Sequence, residues 1–106
     1  MQIGKLSKRI KIQKFGQSKN EYGEFEELWE DFKEVWAEIK PVSGNQFFAA
    51  KQINSEISHN VYIRYRTDLK PSMRIKFKER VFEILYLMNV NEGNRLMQIY
   101  CKELIE

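Results

Sequence analysis

The strongest constraint on this chain is a two-residue beat. In "KLSKRIKIQKF", Leu6, Ile10 and Ile12 fall on even positions, with Arg9, Lys11 and Gln13 between them. In "VYIRYRTD", Val61, Ile63 and Tyr65 alternate with Arg64 and Arg66. In "MRIKFKE", Met73, Ile75 and Phe77 alternate with Arg74, Lys76 and Lys78. Successive side chains of a strand point to opposite faces, so each run reads as a half-buried strand with one wet, basic face. The run "VFEILYLMNV", 81–90, is apolar at nearly every position and suits a strand covered on both sides. "RLMQIYCKEL" makes a last strand after the turn-forming "NVNEGN". The start of "WEDFKEVWAEIK", 29–40, is compatible with a helix. Its later part alternates Val35, Ala37 and Ile39 with Trp36, Glu38 and Lys40, so the segment is assigned as a strand with Trp36 opposite the aliphatics. "GQSKNEYGE", 16–24, has turn chemistry and little to bury, and reads as a mobile hairpin tip.

The beat fails in one place. "VWAEIKPVSGNQFFAAKQINSE", 35–56, breaks at Pro41, which has no amide proton for a ladder and favours a strand end. Ser43 followed three residues later by Gln46 has the form of a capping box, which predicts a short helix over "GNQFFAAKQI". Phe47 and Phe48 sit about 100° apart around such a helix, so one flat surface cannot cover both. With Ile53 and two alanines, the apolar surface wraps much of the circumference. Two readings stand side by side: the helix plugs the open end of a small barrel, or at least one phenylalanine is offered to a neighbouring subunit.

At 106 residues the chain is read as one domain, 1–106. Folding should hide roughly 60–70% of its unfolded surface, enough for one modest core. With 42% apolar and 13% aromatic residues, a folded chain is expected despite 31% charged ones. No apolar run approaches the ~18 residues of a membrane span, and the basic, alternating N-terminus lacks the continuous apolar core expected of a signal peptide. The single cysteine, Cys101, has no internal disulfide partner, so synthesis in a reducing cytoplasm is expected.

The net charge of +3 is unevenly spread. Residues 1–20 carry six Lys/Arg and no acid, whereas residues 21–38 carry eight acids against Lys33. Adjacent strands with opposite charges can pair on a solvated face. Alternatively, acidic and basic patches meet between copies, where complementarity fixes register and partner choice.

Little points to catalysis. The single histidine, His59, stands at the start of a strand with no second histidine near it, and reads as a satisfied polar residue. Cys101 reads as a small core residue. No carboxylate pair is set in apolar surroundings and no glycine-rich phosphate loop occurs. No catalytic, metal or cofactor-binding residues are assigned, and an enzyme is not expected. A nucleic-acid-binding barrel is the alternative reading, because "KRIKIQK" and "RIKFKER" combine cations with nearby aromatics. Against it, Phe77 alternates with the cations and so points the other way.

The order "IGKLSKRIKIQ", "VWAEIKPVSG", "FFAAKQ", "SHNVYIRYRTDLKPSMRIKF" and "RVFEI" resembles the phage head–tail joining family, the small head-closure or stopper proteins of long-tailed phages. The resemblance covers nearly the whole chain and is most specific in "VWAEIKPVSG" and "IRYRTDLKPSMRI". It implies a mainly β fold: a small barrel of about six strands with one short α-helix inserted between the second and third. It also implies a ring, dodecameric in the assembled connector, between a portal and adaptor stack and the tail-completion or tail tube protein. The ring retains packaged double-stranded DNA without reading its sequence, and has no cofactor and no membrane. Isolated copies are expected to stay monomeric, because such rings form on a template. The protein is expected to be made in the bacterial host cytoplasm and built into the virion. The resemblance places a gating element on Pro41 to Glu56, with Pro41, Ser43, Gly44, Gln46 and Lys51 as its candidates. Trp36, Phe47, Phe48, Ile53, Glu30, Glu34, Arg64 and Arg66 are the candidates for subunit or partner contacts.

Overall fold

Six strands and one helix follow one another in a computed structural model that describes residues 6–105. Strands β1 (Lys8–Lys19) and β2 (Phe25–Pro41) form a hairpin, and helix α1 (Gly44–Ile53) follows. Strands β3 (His59–Arg64), β4 (Arg74–Phe77), β5 (Arg80–Asn89) and β6 (Leu96–Leu104) complete a closed antiparallel barrel in the order β1-β2-β3-β6-β5-β4. The helix thus lies between the second and third strands, and the turn at 90–94 joins β5 to β6, as the sequence predicts.

The alternating positions build the core. Ile10, Ile12, Ala37, Val61, Ile63, Ile75, Phe82, Ile84, Ile99 and Cys101 form one buried cluster, and Val35, Ile39 and Phe77 pack against it. Each fully buried aliphatic or aromatic side chain contributes about 1.5–3 kcal/mol relative to exposure. Closure gives every strand two neighbours, although β5 beyond Ile84 is paired with β6 alone.

Two expectations need correction. The strand covered on both faces is β3, where Asn60 to Ile63 are all buried, and not β5. Asn60 and Tyr62, on the face opposite Val61 and Ile63, are flanked by Lys40 and Glu38 on β2 and by Tyr100 and Gln98 on β6. Strand β5 pairs with the short β4 only over Arg80–Glu83. Beyond that point its outward side lacks a neighbour, and Tyr86 stands exposed.

The second correction concerns residues 16–24. Pairing of β1 with β2 continues to the rung Lys19–Phe25, so only Asn20–Glu24 turn. Asn20 closes that turn: its Oδ1 accepts the amides of Tyr22 and Glu24, and Gly23 supplies the required positive φ of 81°. Strand β4 pairs with β1 only over Lys11–Gln13, and β3 pairs with β2 only over Ala37–Pro41. Among the described residues, the hairpin beyond Gln13 is therefore a free two-stranded arm. A register shift between Ile12 and Gln13 marks its root, and the molecule is 51 Å long but only 27 × 24 Å across.

Candidate assembly surface

The segment after β2 is tied down by backbone before side chains matter. Pro41 occupies the last rung of β2 opposite His59, where its missing N–H costs least. The next amide, Val42 N, donates to Ser58 O at 3.1 Å and pinches residues 42–58 into a closed loop. Within it, Lys51 Nζ donates to the carbonyls of Ser55 and Ile57, both at 2.8 Å, stapling the last helical turn to the returning chain. Asn54 reinforces the exit by accepting the Glu56 amide at 2.8 Å. Ser43 is the N-cap residue, but its side chain makes no capping bond. The chain enters the helix through Gly44 at φ +58, not through the geometry of a capping box. The Gln46 side chain lies outside the described ones.

What this stapled loop shows to solvent is apolar. Ala50 is sealed at 1% exposure, whereas Phe48 is 68% exposed, and Phe47 and Ile53 are exposed as well. Phe47 and Phe48 pack edge to face at 5.6 Å, with Lys51 Nζ 5.4 Å from the Phe47 ring centre. Among its described side chains the helix fully buries Ala50 alone in its own subunit, and it does not use its phenylalanines as a plug.

Trp36 lies on the outer face of β2, 51% exposed, under the Arg9 guanidinium at 5.1 Å. Arg9 Nε donates in turn to Glu34 Oε1 at 2.7 Å. Lys11 pairs with Asp31 at 3.6 Å. Opposite charges on β1 and β2 are thus paired inside one hairpin, which occupies Glu34. Arg66 grips Asp68 with two bonds of 2.9 and 2.8 Å, holding the Asp68 carboxyl below its usual range. Arg64 ends β3 exposed, and Glu30 is exposed on the arm opposite Lys14.

Three features escaped the sequence reading. The arm carries exposed Phe15, Tyr22, Phe25, Leu28 and Trp29, of which Phe15 and Trp29 pack at 5.1 Å. Only Tyr22 lies in the turn-like stretch 16–24; the facing of Phe15 and Trp29 is set by the register of β1 on β2. A shallow cleft of about 250 Å³ is lined by Arg9, Lys11, Lys76, Lys78 and Glu34, and Lys11 and Lys76 face each other across β1 and β4. Finally, Arg80, Glu103 and His59 gather at the barrel end: Arg80 donates to both Glu103 oxygens, and His59 Nε2 lies 3.8 Å from Glu103.

The chemistry of these groups is structural. Burial pushes the Cys101 thiol up to about 12, leaving it protonated and inert. Among the described residues no group of three or more His, Cys, Asp or Glu stands where a metal ion could be held, and no helix is long and apolar enough to cross a membrane. Phe77 is half-buried against the core, so its ring is not offered for base stacking.

The comparisons with known proteins agree with this picture. The solution structure of protein SF1141 from Shigella flexneri 2a matches with a TM-score of 0.76 and 32% identity, covering 100% of this chain and 99% of that one. A chain from the virion of a native gene transfer agent particle matches with a TM-score of 0.65 and 15% identity, covering 94% of this chain and 96% of that one, which is a likeness of fold. No curated protein sequence matches. The family model described as "phage head completion protein" matches residues 1–104, from before the first strand to the end of the last. The chain belongs to the phage head completion protein family and is a structural protein of the virion.

Proposed function

We propose that the protein closes the DNA-filled head and prepares it for the tail. Copies sit side by side as a ring, dodecameric on its template, between the portal and adaptor proteins above and the tail-completion or tail tube protein below. Packaged double-stranded DNA is held back or let through by the ring without sequence-specific contacts. The Pro41–Glu56 loop is the element that faces the channel or the next subunit. The observation that carries the reading is the exposure of Phe47, Phe48 and Ile53 on a helix that, among its described side chains, buries only Ala50 at home. Exposed aromatic clusters of this kind serve as anchors when a partner desolvates them. Pinching by Val42–Ser58 and stapling by Lys51 let that loop move as one body while the barrel stays closed.

The test is Phe48→Asp. A charge at a solvent-facing position should change the unfolding free energy by no more than about 0.5 kcal/mol. Tail joining should nevertheless be lost when heads lacking the wild-type protein are complemented in an extract. A variant that unfolds instead assigns Phe48 to the subunit core. A folded variant that joins tails normally removes the helix from the interface.

A further inference from the structure

The arm and the cleft each lack something the other has. Residues 14–30 carry five glutamates and two lysines. Among the described residues no cation lies within salt-bridge reach of Glu21, Glu24, Glu26 or Glu30. In the cleft, Lys11 and Lys76 are directly opposed on paired strands; Asp31, 3.6 Å from Lys11, offsets part of that repulsion but lies beyond salt-bridge reach of Lys76. Lys76 and Lys78 have no carboxylate partner among the described residues.

One chain cannot bring the two together. From Lys11 at the cleft to Asn20 at the turn the strand runs nine residues, roughly 30 Å at ~3.4 Å each, pointing away from the barrel. The free part of the arm is roughly 20 Å long, comparable to the 24–27 Å width of the molecule. A two-stranded ribbon with both edges open and Phe15, Phe25 and Trp29 in water is marginal on its own. It gains by lying on another surface.

We propose that the β1–β2 arm of one copy seats its acidic strand against Lys76 and Lys78, the two cations of the next copy's cleft that have no carboxylate partner among the described residues. This rests on the reading that copies assemble side by side and names the contact between them. The contact is heterologous, arm to cleft, and such contacts propagate around a closed ring. Charge complementarity sets its direction and register, and the exposed Leu28, on the same face of the arm as Glu26 and Glu30, adds apolar burial.

Cross-linking in assembled heads tests it. The full chain carrying Glu26→Cys and Lys78→Cys, treated with a short bismaleimide, should give a ladder of covalent multimers. Each single variant should stay monomeric, because the buried Cys101 thiol does not react. Monomers only from the double variant in tail-bearing particles overturn the arm contact alone. Absence of the protein from such particles overturns the head-completion role and the contact with it. Charge reversal gives a second measure that does not depend on cysteine chemistry. Glu24→Lys, Glu26→Lys and Glu30→Lys together should lower incorporation roughly tenfold or more, and adding Lys76→Glu and Lys78→Glu should restore it. Loss without restoration counts against the contact.

Discussion

Arg80 organises the barrel end where β3, β5 and β6 meet. Its guanidinium donates to Glu103 at 2.9 and 3.1 Å and stands 3.3 Å from His59 Nε2, while the His59 ring meets Phe82 at 5.2 Å. The Arg80 bonds hold the Glu103 carboxyl below its ordinary range, and burial lowers the His59 imidazolium below 6.5. Both groups bind fewer protons folded than unfolded, so both stabilise the fold on the alkaline side and lose that contribution on acidification. For His59 the loss begins as pH falls below about 6.5. For Glu103 it begins below about 4.3. Urea midpoints should therefore fall from pH 7.5 to pH 5.5 in the wild type and fall less in His59→Asn; equal slopes for the two proteins rule out His59 as the cause. The sequence marks His59 as a satisfied polar residue at a strand start, which it is. It does not reveal Arg80 and Glu103 as the partners, because that requires the register of three strands distant in sequence.

Elements were legible wherever alternation was strict. β1 up to Ile12, β4 and the second half of β2 were readable because one face met the core and the other met water, while β3 was readable as a strand although both its faces are buried. The arm was not, since Lys14–Lys19 pairs with acids and aromatics and leaves no clean apolar face to count. β5 misled for a different reason: an apolar run records what a strand tolerates, and only the length of its neighbour β4 determines what is covered. The arm's isolation has a measurable consequence. Its rungs have no second neighbouring strand, so local opening costs little compared with the barrel. Backbone amides of β1 in the free protein should exchange much faster over Lys14–Lys19 than at Ile10 and Ile12. In assembled heads the arm amides should become protected. Arm protection in the free monomer equal to that of the barrel would show that the ribbon needs no partner.

At the scale of the whole molecule the charge distribution is the deciding feature. Paired charges on β1 and β2, such as Arg9 with Glu34, are satisfied at home and have little left for a neighbour. Outside those pairs stand Glu21, Glu24, Glu26 and Glu30 on the arm, which outnumber its Lys14 and Lys19, and Lys76 and Lys78 on β4 and its turn, beside Glu79. A molecule polarised in this way can attract either copies of itself or the phosphate backbone of DNA, and salt distinguishes the two through different partners. Docking of the purified protein onto portal-bearing heads should weaken as ionic strength rises from ~0.1 M towards ~1 M, where the Debye length shrinks from about 10 to about 3 Å. The aromatic contacts of α1 and the arm should leave a salt-resistant remainder, because apolar burial is not screened. Oligonucleotide capture driven by the cleft would have no such remainder, since phosphate binding falls steeply and continuously with salt. A gel shift with single- and double-stranded DNA at both salt concentrations separates the outcomes. Tight DNA binding at low salt, with head docking indifferent to salt, would move the cleft from subunit contact to nucleic-acid contact and leave the helix as the assembly surface.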